Sequence, residues 1–142
     1  MSRDANTILS RHLQLHCASG QCERLYDFLA EALAQLPVTD AFRHDLKLVA
    51  EELLANIINH GYDKDTQGSI DIGLVADTHT VRLTFSDAGK AFNPLDSKVA
   101  GMSDDLSEGG MGLQLVRSLT DEQSYNRVGG RNVFTVIKHY NH

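Results

Sequence analysis

The stretch Leu48–Tyr62 reads LVAEELLANIINHGY. At about 100° per residue on a helical wheel, Leu46, Val49, Ala50, Leu53 and Ile57 gather on one face. That face predicts an amphipathic helix laid against a core. Glu52 and Asn56 are four residues apart and stand one above the other at the border of the apolar stripe. Glu51 falls about 100° away and points elsewhere. One carboxylate and one amide therefore share a ridge where the helix meets its neighbours. Taken alone, the same pair also describes a solvated Glu beside a surface Asn.

Outward from that helix, Asp40 reads as its N-cap. Gly61 reads as its C′ residue, after a helix running to about His60. Upstream, Gln21–Leu36 predicts a second helix with Leu25, Phe28, Leu29, Ala32 and Leu36 as its stripe, stopped by Pro37. Leu9–Cys17 alternates at period two, with Leu9, Arg11, Leu13, Leu15 and Cys17 on one face, and reads as a strand. Downstream, Ser69–Ala76 and Thr80–Ser86 read as strands joined tightly around Asp77–His79. Asn93 to Gly110 is rich in Ser, Asp and Gly and has no sustained period. A loop of that length inside a compact domain is usually functional or disordered. Met111–Leu119 predicts a short helix. Glu122–Val128 and Val133–Tyr140 read as a strand pair turned at Gly129–Gly130. The order β, α, α, β, β, long loop, α, β, β predicts an α+β fold, a two-layer sandwich with helices on one face of a mostly antiparallel sheet.

The chain's 142 residues, 42% of them hydrophobic, match one domain with one packed core. A formal net charge of −6 and the lack of any Lys/Arg run argue against nucleic acid and acidic membrane surfaces as partners. No stretch approaches the roughly 18 apolar residues of a membrane span. The N-terminal residues lack the basic start and apolar run of a signal peptide. Cys17 and Cys22 form no disulfide framework or zinc spacing, and reduced thiols in a cytoplasmic protein are the expectation.

Two more segments carry chemistry. In Phe85–Pro94, FSDAGKAFNP, Asp87 ends a strand, with Gly89 two residues on, then Phe92 and Pro94. A carboxylate at a strand end can accept a hydrogen bond from a ligand amine, and a glycine beside it lets a flat ring approach the backbone. The other reading is a turn in which Asp and Gly serve backbone geometry alone. In Ser107–Val116, SEGGMGLQLV, Gly109, Gly110 and Gly112 precede and open a helix. Free amides and the positive helix end make a ready anion site; a flexible hinge is the alternative. There is no Walker A motif, and the glycines follow a long loop rather than the strand of a dinucleotide fold.

The three segments, in this order and with the long loop between the last two, resemble the N, G1 and G2 boxes of the Bergerat-fold ATPases. That superfamily includes gyrase B, heat-shock chaperone ATPases, MutL proteins and histidine kinases. The phrases EELLANIINHGY, DAGKAFNPLD and GGMGLQLVRSLTDEQSYNR resemble most its short single-domain branch, the anti-sigma regulatory factors with serine kinase activity. The resemblance runs from about Asp45 to Lys138. It implies one histidine-kinase-like ATPase domain over residues 1–142, with an ATP lid at about 93–109. It further implies Glu52 as general base and Asn56 as ligand of a Mg2+ ion bridging the phosphates of ATP. Asp87 would take the adenine amino group, Gly89 would let the base pack closely and Phe92 would line the site. Gly110, Met111, Gly112 and Leu113 would meet the phosphates, with Gly109 at the lid's end.

Some positions depart from the pattern. Ala91 stands where a second glycine is common. The last box usually offers a Thr near the nucleotide, and here Asn132 and Thr135 both qualify. Lys90 and Lys98 lie near the expected phosphates and read first as solvated. His60, one turn after Asn56, reads first as a packed or capping residue.

By resemblance the chain phosphorylates an anti-sigma-factor antagonist of the STAS type and sequesters a sigma factor or similar regulator. A homodimer is implied as well. A module that uses ATP only to set its shape is the alternative, and Glu52 favours the kinase. The catalytic fragment of a histidine kinase fits less well: His12 and His16 fall in a predicted strand rather than in a phospho-acceptor helix.

Overall fold

The computed structural model describes residues 6–16, 22–61, 68–95 and 109–140. The elements are β1 (Leu9–His16), α1 (Cys22–Leu33), α2 (Asp40–Asn56), β2 (Ser69–Ala76), β3 (Thr80–Asp87), α3 (Gly109–Leu119), β4 (Glu122–Val128) and β5 (Arg131–His139). The strands form one sheet in the order β1-β2-β3-β5-β4, with every neighbouring pair antiparallel. Three helices and this sheet make the α+β sandwich that the sequence predicts.

Period-two alternation decides which sheet face carries the core. Ile70, Ile72, Leu74 and Ala76 of β2, Val81, Leu83 and Phe85 of β3, and Phe134 and Val136 of β5 are all buried. Against them lie Leu25, Leu29, Ala32 and Leu33 of α1, Phe42, Leu46, Val49, Ala50, Leu53 and Leu54 of α2, and Leu113 and Val116 of α3. Burying each large apolar side chain stabilises the fold by about 1.5–3 kcal/mol before chain entropy is counted. The same parity runs past the apolar residues. It carries Asp87, at the end of β3, and Asn132, its register partner on β5, onto the inner face. Two polar side chains are thus buried at one end of an apolar layer, which positions the site described below.

Several boundaries differ from the sequence reading. Thr39, not Asp40, is the N-cap of α2: its Oγ1 accepts from the Phe42 amide at 3.1 Å. Both residue types cap well. Asp40 instead occupies the first turn, where its charge meets the positive helix end and Arg43 at 2.7 Å. Regular α geometry ends at Asn56 rather than near His60, and Ile57–Gly61 form a π-helical turn. Helix α1 stops at Leu33. Leu36 is still buried, but through a turn in which its amide donates to the Leu33 carbonyl at 3.1 Å. Helix α3 begins two residues before Met111, and β5 begins at Arg131, two before Val133. The β4–β5 hairpin has a two-residue loop, and Gly129 (φ 56°) and Gly130 (φ 79°) both take the left-handed conformation that such a loop needs. Cys17 and most of the expected lid, residues 96–108, lie outside the described residues, as does Lys98. No described helix is long and apolar enough to cross a membrane.

The β2–β3 connection is capped by Asp77. Its Oδ1 accepts from the His79 amide at 2.7 Å, the Thr80 amide at 2.8 Å and the Thr80 hydroxyl at 3.1 Å. The His79 amide is the largest of the influences that hold its carboxyl below the ordinary 3.8. A depressed folded-state pKa contributes stability that is present above the unfolded value and lost as pH falls through the folded one. Asp77→Ala is expected to cost about 1–2 kcal/mol at neutral pH. Urea unfolding of variant and wild type should show that difference shrinking as pH falls below about 4. A pH-independent difference would remove the carboxylate from the explanation.

Candidate functional site

The inner sheet face and α2 do not close completely over Asp87 and Asn132. Between them lies an open cleft of about 370 Å3, lined by Leu53, Asn56, Ile57, Phe85, Asp87, Phe92, Pro94, Tyr125, Asn132 and Phe134. Its walls are mostly apolar and aromatic, and its few polar groups converge.

Asn56 reaches the cleft because the α2 stripe that buries Leu53 also turns the residue three positions on toward the sheet. It is 8% exposed, yet among the described residues nothing hydrogen-bonds its side chain. Buried amides are nearly always paired, so one left unpaired among the described residues and facing a cleft is a candidate ligand position. Glu52, one turn earlier, is half-buried and does not line the cleft. Its neighbour Glu51 points to α1 and accepts from the Tyr26 hydroxyl. That bond, with burial adding to it, pushes the Tyr26 hydroxyl up to about 12. The two adjacent carboxylates therefore have different surroundings, as the helical wheel predicts.

Asp87 is 3% exposed. Its Oδ1 accepts from the Gly89 amide at 2.9 Å and from Asn132 Nδ2 at 3.1 Å. Neither bond falls on Oδ2. Asn132 is the hub of this corner. Its Nδ2 also donates to the Lys90 carbonyl at 2.9 Å. Its Oδ1 accepts from the Phe92 amide at 3.3 Å, from Arg127 Nη1 at 3.1 Å and from the Tyr125 hydroxyl. Arg127 Nη1 also donates to the Gly89 carbonyl at 2.7 Å. The wall from Asp87 to Phe92 thus hangs from the edge of the sheet at four points.

The structure brings Asn56, Asp87, Phe92 and Asn132 together in one cleft, with Gly89 buried behind Asp87. Thr135 lies on the other sheet face, where its hydroxyl meets that of Thr84 at 3.3 Å. Gly109, Gly110, Met111 and Gly112 form the first turn of α3, whose leading amides have no partner within a helix. The Leu113 side chain is in the core. The backbone of His60 is in the π turn, a rare geometry frequent at functional sites. Tyr125 and Arg127 are the residues that sequence reasoning missed. The two-residue hairpin was the available signal: with Val128 opposite Arg131, Arg127 must face Asn132.

Comparison with known proteins identifies the family and the fold. Residues 17–138 match the family model of the histidine kinase-like ATPase domain. Over 132 residues the chain is 30% identical to an anti-sigma F factor of Anoxybacillus flavithermus, covering 90% of each chain. It is 34% identical over 100 residues to the serine/threonine-protein kinase BtrW of Bordetella bronchiseptica, covering 68% of this chain and 70% of that one. The fold aligns with the crystal structure of the RsbU and RsbW domains of Rv1364c from Mycobacterium tuberculosis. The TM-score is 0.68 at 18% identity, over 94% of this chain and 33% of that one. ATP is the ligand that an ATPase domain of this kind binds. By family match, by identity along nearly its whole length and by fold, the chain belongs to the histidine kinase-like ATPases, among the relatives named as anti-sigma factors and serine-protein kinases.

Proposed function

We propose that this chain is an ATP-dependent serine protein kinase of the anti-sigma type, formed by a single domain over residues 1–142. The observation that carries the reading is the unpaired Asn56 amide in the same apolar cleft as the buried Asp87 carboxylate. One offers a carbonyl oxygen for a hard cation and the other an acceptor for a ring amine. The aromatic walls Phe85, Phe92, Tyr125 and Phe134 suit the adenine ring. Asp87 Oδ2 takes the adenine amino group, which guanine lacks at that position. Asn56 Oδ1 is a fitting ligand for Mg2+, whose contribution is to neutralise charge on the phosphates. The first-turn amides of α3, Gly110 and Met111 foremost, meet the phosphates. A lid at about 93–109 would exclude water from them.

Glu52 is the general base. It takes the proton of the acceptor serine as that oxygen bonds to the γ-phosphorus and the bond from phosphorus to the ADP oxygen breaks. The acceptor is an antagonist protein of the STAS type. While that antagonist is phosphorylated, the kinase keeps hold of a sigma factor or similar regulator, and the two partners compete for overlapping surfaces. The relatives named as anti-sigma F factor and as serine-protein kinase support both halves of this cycle. Homodimerisation and a cytoplasmic location complete the proposal.

Incubation of the purified chain with labelled ATP, Mg2+ and candidate antagonist domains from the same genome tests it. Label on a partner serine, absent with Glu52→Ala, is the expected result. Tight ATP binding with no label on any partner would leave a sequestering module that uses ATP for shape alone.

A further inference from the structure

Asp87 can select a ring amine only if it presents a fixed free oxygen as acceptor. What fixes it is the orientation of the Asn132 amide, and that orientation is decided by obligate partners. The Phe92 amide and the Arg127 guanidinium can only donate, so they need an oxygen before them. The Lys90 carbonyl can only accept, so it needs the NH2 group. Flipping the amide would oppose NH2 to three donors and oxygen to the Asp87 carboxylate. Two of those donors, Tyr125 and Arg127, project from the edge strand β4, with Arg127 directly opposite Asn132 in register. Both are side chains, and β4 is otherwise largely exposed.

We infer that Tyr125 and Arg127 are positioning residues for base selection: they lock the Asn132 amide so that Asp87 presents one oxygen, always as an acceptor, to the ring of the bound nucleotide. The inference rests on the reading of the cleft as an adenine site. Tyr125 acts from the cleft wall, which its ring also lines, and Arg127 acts from outside through Asn132 and the Gly89 carbonyl. With both donors gone, Oδ1 keeps only the Phe92 amide, at 3.3 Å the longer of its two contacts of ordinary length. The Asn132 amide can then turn, which takes the Nδ2 donor away from Asp87 and leaves neither carboxylate oxygen fixed for a ring amine. The amine of an adenine-type ring thereby loses its fixed acceptor, and the advantage of ATP over GTP shrinks.

The test compares ATP and GTP affinities by calorimetry in wild type, Tyr125→Phe, Arg127→Met and the double variant, with thermal melts to confirm folding. Wild type is expected to prefer ATP. In the double variant ATP affinity should fall about tenfold and the preference over GTP should narrow by at least about fivefold, from two lost hydrogen bonds. Arg127→Lys, which keeps a donor, should recover part of the preference. Equal weakening of both nucleotides, or an unchanged ratio, overturns the inference. If the double variant does not fold, the two single variants are judged by the same ratio. A wild type that binds ATP and GTP alike, or neither, defeats the adenine reading itself. That outcome is distinct from a selective wild type whose variants stay selective.

Discussion

Asp87→Asn is expected to bind ATP roughly 10- to 100-fold more weakly than wild type. A hydrogen bond to a charged group contributes about 1.5–3 kcal/mol, and each 1.4 kcal/mol is a factor of ten in affinity. The substitution is nearly isosteric, so the cleft keeps its shape. What changes is the number of acceptors. The carboxylate satisfies the Gly89 amide and Asn132 Nδ2 with Oδ1 and leaves Oδ2 for the proposed adenine contact. An amide has one oxygen and one NH2 group. If its oxygen serves Gly89 and Asn132, its NH2 meets the adenine amino group, donor against donor. If it turns the oxygen to the ligand, the NH2 confronts the Gly89 amide and Asn132 Nδ2. Either way at least one buried donor loses its acceptor, which is the costly case. Calorimetric titration with ATP checks the result, and wild-type affinity in the variant would remove Asp87 from the nucleotide site.

The logic of this corner was partly legible in the amino-acid sequence. Alternation along Thr80–Asp87 announces that Val81, Leu83 and Phe85 face the core, and the same parity places Asp87 inward. Asn132 was ambiguous for a local reason. The strand was expected to begin at Val133, which leaves Asn132 in the turn, without a face. A hairpin loop of two glycines with positive φ moves the strand start to Arg131 and puts Asn132 opposite Asp87. The sheet then separates Asn132 from Thr135, which an odd number of residues places on the opposite face. Turn type sets register, and register sets face.

The helical elements divide in the same way. The α2 stripe was readable because apolar periodicity is a property of the chain itself. Its N-cap was not, because Thr39 and Asp40 are both strong capping residues and only backbone conformation chooses between them. The π turn at Ile57–Gly61 has no composition of its own. The Ile57 amide still reaches the Leu53 and Leu54 carbonyls, and the wider π turn begins directly after Asn56, where the helix passes the cleft. The hydrogen bond from Arg127 joins β4 to the Gly89 carbonyl some forty residues earlier, and no local pattern records such a contact.

Glu52→Ala is expected to retain ATP affinity to within about twofold while phosphoryl transfer to the partner serine falls by about 10²–10⁴, the usual contribution of a positioned general base. The two effects separate because Glu52 does not line the cleft proposed to hold the ring. A base beside the phosphates matters only when the acceptor hydroxyl arrives. The adjacent Glu51 cannot take over. It lies about 100° around α2 and is engaged by Tyr26, and the Lys47 ammonium sits 4.4 Å from the centre of the Tyr26 ring. Glu51→Ala is therefore the informative control, expected to lower stability slightly and leave transfer largely intact. Glu52→Gln sharpens the test further, since it keeps length and polarity and removes only proton acceptance. Single-turnover transfer rates at saturating ATP distinguish the cases. If Glu52→Gln transfers phosphate at the wild-type rate, the base lies elsewhere or is not needed. The dissociative character of phosphoryl transfer then leaves positioning by Asn56 and the α3 amides as the source of the rate.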